Sequence, residues 1–178
     1  VLDGDIVIDL GDREIAIWHI PGHSHGHLGI YDQTHDTLAV SDAILGDAVP
    51  LADGTPSFPP TYRHVDAYLA TIERARALQP ETLLTAHYGD YVGEQVPAFL
   101  NTTELFVRRM DDQVMAALQP EGQTLHEIVK KVNPAIATWP LEGTETALAF
   151  PVAGHLERAR AAGLATMVDD EGIWRWSA

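Results

Sequence analysis

The chain has 178 residues, enough for one domain of ordinary size or for one and a half small ones. Its net charge of −15 disfavours unspecific binding to nucleic acids or anionic membranes, because like charges repel. The sequence has no cysteine, which excludes disulfides, thiolate ligands and a cysteine nucleophile. Histidine, aspartate and glutamate are then the available metal ligands. No apolar run approaches the roughly 18 residues that span a bilayer, so we expect a cytoplasmic protein without a membrane segment.

The amino-terminal part of the chain predicts β-structure. β-forming residues lie on both sides of Gly11-Asp12, and again on both sides of the polar stretch 32–36, which indicates two hairpins. Residues 46–60 are rich in glycine, proline and aspartate and predict a loop.

A helix and one more strand are predicted after this loop. Apolar residues recur at intervals of three and four from Tyr62 to Leu78, which predicts an amphipathic helix that ends before Pro80. The short apolar run 82–86 then predicts a strand that leads to His87.

The carboxy-terminal part predicts mostly helices. Helical periodicity runs from Pro97 toward Leu118, and Thr124-Leu125-His126-Glu127 has the form of a capping box that begins a second helix. We expect a loop around Asn133-Pro134, a third helix over 144–163, and a terminal hairpin about 169–172. Three helices followed by a hairpin is the order of a winged-helix module.

Three residues of metal-ligating type follow three predicted strands. His23 is the first of three alternate histidines after a strand, Asp42 follows the apolar run 38–41, and His87 follows the run 82–86. Imidazole and carboxylate groups are common metal ligands, and strand ends that share one sheet edge can bring them together. The sequence therefore predicts a metal site at His23, Asp42 and His87.

The chain resembles the later motifs of the metallo-β-lactamase superfamily, above all its glyoxalase II and ribonuclease-like branches. The resemblance lies in three strings and their order: Ile20-Pro21-Gly22-His23-Ser24-His25-Gly26-His27, then Ser41-Asp42-Ala43-Ile44-Leu45-Gly46, then Ala86-His87-Tyr88-Gly89. It implies an α+β fold, with the C-terminal half of an αββα sandwich over residues 1–95. A small winged-helix-like helical domain would follow over residues 96–178.

The resemblance also implies roles for the candidate ligands. His23 would bind one metal ion, His87 a second, and Asp42 would bridge the two and orient the nucleophile. Two zinc ions are expected in the complete protein, with iron or manganese as the alternatives. The implied reaction is attack by a metal-bound hydroxide on a thioester, ester, lactone or phosphodiester, so the substrate is a small molecule or of nucleotide type. His25 and His27 are expected to support the ligands or to pack beside them without binding metal, with a position facing the substrate as the alternative for His25.

The chain departs from the family pattern because the first motif, His-x-His-x-Asp-His, does not occur in it. We expect that an upstream half of the fold supplies this motif and that the isolated chain is inactive. A relic with a different use is the alternative. A half sandwich leaves one apolar sheet face uncovered, so we also expect the chain to form a homodimer, exchange elements or aggregate.

A competing hypothesis makes the chain a binding module with a vestigial metal site. Its winged helix would contact nucleic acid or a partner protein through Arg158 and Arg160, although Glu157 dilutes that positive charge. The remaining polar residues predict little chemistry. We expect His155 at a helix surface or in packing, and Asp111-Asp112 on a solvated face.

Overall fold

The structure is a computed structural model that describes residues 4–178, and it confirms the α+β class. Strands dominate the first half of the chain, and helices dominate the second. The elements follow in this order along the chain: β1 (Ile6–Asp9), β2 (Glu14–His19), β3 (Leu28–Asp32), β4 (Thr37–Ser41), β5 (Val49–Pro50), β6 (Pro56–Phe58), α1 (Val65–Leu78), β7 (Thr82–Thr85), β8 (Tyr91–Val92), α2 (Gln95–Ala117), β9 (Gln123–Thr124), α3 (Leu125–Ile136), α4 (Glu145–Ala161), β10 (Thr166–Asp170) and β11 (Ile173–Ser177).

The main sheet has six strands in the order β1-β2-β3-β4-β7-β8. Neighbouring strands are antiparallel except β4 and β7, which pair in parallel and are joined through α1. Since β2 is antiparallel to β3, and β3 to β4, the strands β2, β4 and β7 all run in one direction. Their carboxyl ends therefore lie at the same edge of the sheet.

Helix α1 begins at Val65, three residues later than the predicted start at Tyr62. The backbone N–H groups of Arg63 and His64 both donate to the carbonyl oxygen of Gly22, at 3.0 Å each. Residues 62–64 are therefore held as a connection to the loop after β2, although their periodicity continues that of the helix.

Helix α3 begins as predicted and ends later than predicted. Thr124 Oγ1 accepts a hydrogen bond from the Glu127 N–H at 3.2 Å, and the Glu127 carboxylate accepts one from the Thr124 N–H at 2.7 Å, which completes the capping box. Asn133 and Pro134 lie inside the helix, not in the predicted loop. The helix tolerates Pro134 because the carbonyl left without a donor belongs to exposed Lys130, where water can reach it.

One continuous hydrophobic core lies on one face of the main sheet. Leu38 and Val40 of β4 and Leu83 of β7 are almost fully buried, because their side chains alternate toward that face. The core continues without interruption into α1 and into the helices α2, α3 and α4. The predicted division at residue 95 into two domains stays a prediction.

The opposite face of the main sheet is apolar and exposed. Ile6, Ile17 and Ile30 lie side by side on β1, β2 and β3, and Ile6 and Ile30 are 39% and 46% exposed. Leu28 and Ile8 add exposed apolar surface to the same face. A patch of this kind is an interaction surface or an aggregation hazard in a soluble domain.

We predict that the isolated chain self-associates through this face. Ile30→Lys places a charge at its centre and should lower the apparent mass toward the 19.4 kDa of one chain, measured by light scattering. Leu105→Lys is the matched control, because Leu105 on α2 is 66% exposed and lies away from the sheet. A wild-type chain that stays monomeric at all concentrations would contradict the prediction.

The carboxy-terminal elements are three helices and a three-stranded sheet in the order β10-β11-β9. The predicted hairpin is present as β10 and β11, and the short strand β9 before α3 pairs with β11. This arrangement contains the elements that the winged-helix prediction requires, and the assignment to that module stays a prediction. No helix within residues 4–178 combines the length and apolarity needed to cross a membrane.

Candidate metal centre

The three predicted ligands follow the three strands that end at the same sheet edge. His23 lies in the loop after β2, Asp42 directly follows β4, and His87 comes two residues after β7. All three line one cavity of about 360 Å³. The parallel pairing of β4 with β7 accounts for the proximity of Asp42 to His87.

Asp42 and His87 are in direct contact. His87 Nε2 lies 3.0 Å from Asp42 Oδ1. Asp42 Oδ1 is shielded from solvent and has no hydrogen-bond partner, so the contact with His87 lacks hydrogen-bond geometry. Burying a carboxylate oxygen without a hydrogen-bond donor lowers the stability of the fold, and a bound cation would compensate for the missing donor.

The backbone before Asp42 is strained. Ser41 adopts a left-handed conformation with φ of 50°, and the pairing of β4 with β7 shifts register between Ala39 and Ser41. A non-glycine residue in this region costs about 1 to 3 kcal/mol and persists where the surroundings enforce it. The left-handed conformation of Ser41 turns the chain out of β4, and Asp42 then lines the cavity.

His23 is oriented by a backbone acceptor. Its Nδ1 lies 2.5 Å from the carbonyl oxygen of Thr61, which can only accept, so Nδ1 must carry the hydrogen. In the neutral ring Nε2 then keeps its lone pair. A hydrogen bond from one ring nitrogen to a backbone carbonyl is the usual way in which a metal-binding histidine is oriented.

The loop that carries His23 depends on a glycine. Gly22 has φ of +142°, and a Cβ atom placed there would lie 2.5 Å from Tyr68 Cα. The side chain of Thr71 also donates to the carbonyl oxygen of Pro21 at 2.7 Å, so α1 supports the loop directly.

We predict that Gly22→Ala lowers the free energy of unfolding by about 2 kcal/mol or more, since both the backbone conformation and the contact with Tyr68 forbid a Cβ. Gly26→Ala in the same loop is the control, because a Cβ there meets nothing within 4 Å. Its effect should stay within about 0.5 kcal/mol. Urea unfolding measures both variants, and equal losses would show that the restriction is not specific to Gly22.

The other two histidines of the motif differ in their surroundings. His27 packs edge-to-face on His23 at 5.3 Å, and burial, followed by the neighbouring His23, lowers the pKa of His27. The ring of His25 stacks on His64 at 3.6 Å. The expectation that neither His25 nor His27 binds metal stays a prediction.

No group of three or more His, Cys, Asp or Glu side chains in residues 4–178 is arranged so that it could hold a metal ion by itself. The individual donors nevertheless fit a divalent cation of the zinc type. His23 keeps a free Nε2 lone pair, Asp42 has an unpartnered buried oxygen, and His87 Nε2 lies beside that oxygen. The assignment of all three as ligands stays a prediction.

A larger cavity of about 810 Å³ adjoins the candidate metal centre, since His87, Pro50 and Leu51 line both cavities. Its wall is mainly apolar and includes Tyr88 and Phe99. The Tyr88 hydroxyl accepts from the Gly46 N–H and donates to the carbonyl oxygen of Ala48, at 2.8 Å each, which fixes the loop after Asp42. Burial raises the pKa of Tyr88, so it stays a neutral donor.

Sequence reasoning missed a second group of polar residues. His155 is fully buried and its Nδ1 lies 2.8 Å from Asp111 Oδ1, whereas Asp111 was expected on a solvated face. Tyr62 completes this group, with its hydroxyl 2.9 Å from His155 Nε2. The partners of His155 are 44 and 93 positions away from it, and no local pattern signals such a contact.

The chain is similar to proteins of one superfamily. Residues 1–87 match the family model described as metallo-beta-lactamase superfamily. The protein named acyl-coenzyme A thioesterase MBLAC2 is 32% identical in Homo sapiens over 98 residues, which are 53% of this chain and 32% of the relative. The protein of that name in Gallus gallus is 30% identical over the same share. The chain therefore matches about a third of the length of these relatives.

Two solved structures share the fold across 99% of the chain. A metallo-beta-lactamase family protein of Thermus thermophilus has a TM-score of 0.72 at 18% identity, and the match covers 53% of that protein. A beta-lactamase domain protein of Burkholderia ambifaria has a TM-score of 0.74 at 16% identity, with 51% covered. At these identities the likeness concerns the fold alone.

Proposed function

Because residues 1–87 belong to the metallo-β-lactamase superfamily, we propose that this chain carries part of the active site of a metal-dependent hydrolase that cleaves acyl thioesters. One observation carries the proposal. His87 Nε2 lies 3.0 Å from Asp42 Oδ1, a buried carboxylate oxygen without a hydrogen-bond partner, in a cavity that His23 also lines. The names of the curated relatives support the thioester as substrate class.

His23, Asp42 and His87 would hold the metal, with zinc as the ion that best suits two imidazoles and a carboxylate. When bound, the metal supplies a water of lowered pKa and polarises the substrate carbonyl. In this assignment Asp42 would supply the carboxylate ligand, and His23 and His87 would supply the imidazole ligands. An upstream half of the fold would supply further ligands and cover the exposed sheet face formed by Ile6, Ile17 and Ile30.

The apolar cavity beside His87 would take the acyl group. It is lined by Leu51, Ala98 and Phe99 among others, which suits an aliphatic chain better than a charged one. The thioester carbonyl would then lie near His87, at the boundary of the two cavities. Addition of water and cleavage of the C–S bond give a carboxylic acid and a thiol.

Arg158, one of the two arginines on which the binding-module alternative rests, forms ion pairs within the chain. Arg158 donates to Asp66 at 2.9 Å and also pairs with Asp111 at 3.3 Å. These contacts neutralise the charge that a nucleic-acid surface would need at this position.

We predict that Asp42→Asn weakens zinc binding more than tenfold in the chain extended by an amino-terminal segment that carries His-x-His-x-Asp-His. Loss of even a supporting partner of a ligand costs roughly 10–100-fold in metal affinity. Competition with a fluorescent chelator measures the affinity. Asp90→Asn is the control, because Asp90 is exposed in the loop after His87 and its substitution removes the same charge. Equal zinc affinity in wild type and Asp42→Asn would refute the role of Asp42.

Activity is tested on the same extended chain, because the motif His-x-His-x-Asp-His completes the ligand set that the family resemblance implies. A thiol-release assay with acyl thioesters should show hydrolysis that depends on added zinc and is lost in Asp42→Asn. Absence of thioester hydrolysis in an extended protein that binds zinc tightly would overturn the substrate class and leave the metal centre standing.

In the same extended protein, Ala98→Phe should shift preference toward shorter acyl groups, because the larger ring occupies the cavity beside Phe99. The expected change is a loss in kcat/KM of about tenfold for long acyl chains, equivalent to roughly 1.4 kcal/mol. Ala116→Phe on the same helix is the matched control, since Ala116 is exposed and does not line the cavity. An unchanged chain-length profile in Ala98→Phe would place the acyl group elsewhere.

A further inference from the structure

A buried polar chain links the helices of the second half to the loop of the candidate metal centre. The Tyr62 hydroxyl lies 2.9 Å from His155 Nε2 on α4, and His155 Nδ1 lies 2.8 Å from Asp111 Oδ1 on α2. Tyr62 and His155 are 1% and 0% exposed. Two buried polar side chains that serve only to fill space would be less favourable than apolar ones, so a further role for their hydrogen bonds is expected.

With a neutral His155 ring, one arrangement of protons satisfies every partner in this chain. The hydrogen bond from His155 lowers the pKa of Asp111, which therefore accepts as a carboxylate. His155 Nδ1 must then carry a hydrogen, and Nε2 of the neutral ring accepts from Tyr62. Burial raises the pKa of Tyr62, which keeps its hydroxyl protonated as the donor. In this arrangement Tyr62 donates to His155, and His155 donates to Asp111 on α2.

Tyr62 belongs to a short segment, residues 61–64, that holds the loop of His23. The Thr61 carbonyl oxygen accepts from His23 Nδ1, and the N–H groups of Arg63 and His64 donate to the carbonyl oxygen of Gly22. The Thr61 carbonyl and the Tyr62 nitrogen share one planar peptide unit. Anchoring the Tyr62 side chain therefore restricts the acceptor that orients His23.

Helix α4 contacts this segment at further points. A Cβ on Gly154 would lie 2.3 Å from the Arg63 carbonyl oxygen, which shows how closely α4 approaches the backbone of residues 61–64. Glu157, one turn later, pairs with the Arg63 guanidinium. Gly154, His155 and Glu157 together hold one side of the segment while Gly22 holds the other.

We propose that His155 is a positioning residue for the metal centre. It anchors Tyr62 so that the Thr61 carbonyl keeps the His23 ring protonated at Nδ1 and directs Nε2 into the cavity of Asp42 and His87. This inference rests on the proposed function for its relevance to metal, and it assigns α4 a part in that function.

The first test reads the His23 ring without metal or substrate. Long-range ¹H–¹⁵N correlation spectra of the full chain, at mildly alkaline pH, should show His23 protonated at Nδ1 in the wild type. His155→Leu and the milder Tyr62→Phe should give a mixture of both ring tautomers. His155→Gln should keep the wild-type spectrum, because its amide oxygen can accept from Tyr62 while its NH₂ donates to Asp111.

Val132→Ala is the control for a loss of stability alone. Val132 is fully buried in α3, and its side chain forms no hydrogen bond, so the substitution leaves the hydrogen bonds of Tyr62 and His155 in place. The proposal predicts an unchanged His23 tautomer in this variant, even where thermal unfolding shows a similar loss of stability. An unchanged tautomer in both His155→Leu and Tyr62→Phe, or an equal change in Val132→Ala, would overturn it.

The second test is zinc affinity by chelator competition on the same variants of the chain extended by an amino-terminal segment that carries His-x-His-x-Asp-His. Affinity should fall roughly 10–100-fold in His155→Leu and Tyr62→Phe and stay within about threefold in His155→Gln. If the extended wild-type protein binds no zinc, the proposed function fails, and the tautomer measurement alone decides on the positioning role. If zinc binds tightly and equally in all variants, the positioning role fails and the metal centre stands.

Discussion

The parallel pairing of β4 with β7 is the constraint on which the candidate site depends. An antiparallel hairpin would place the ends of two successive strands at opposite edges, whereas the connection through α1 returns the chain to the same edge. Asp42 and His87 therefore meet although they are distant in the sequence, and the direction of β2 brings His23 to the same place. Leu38 and Leu83, paired in the same register and buried beneath, hold that pairing in the core.

The sequence predicts those parts of the fold and the site that depend on one residue type or on one local pattern. Runs of β-forming and apolar residues predict β1 to β4 and β7, and the residues of metal-ligating type that follow these runs include His23, Asp42 and His87. The capping box at Thr124 was visible because all of its atoms lie within one short stretch of chain. Strand ends and the family resemblance predict the site residues; Asp42 and His87 lie in contact, and their role as ligands stays a prediction.

What the sequence could not predict depends on distant partners. The apolar periodicity predicts a start of α1 at Tyr62. The helix begins at Val65 instead, because the backbone N–H groups of Arg63 and His64 donate hydrogen bonds to the Gly22 carbonyl oxygen. His155 carries no local signal of its role, since its partners lie on another helix and in a loop. Pro134 predicts a loop because proline disrupts a helix interior. The burial of Ile136, two residues later, favours continuation of the helix instead.

The close contact of α4 with residues 61–64 couples the position of this helix to the loop that carries His23. Gly154 leaves no gap at the Arg63 backbone, so a tilt or slide of α4 would be transmitted to the peptide that orients His23. A molecule that docks on the outer surface of the helices would then alter the geometry of an imidazole on the other side of that segment. Such control would need no change in the sheet, only a small rotation of one helix.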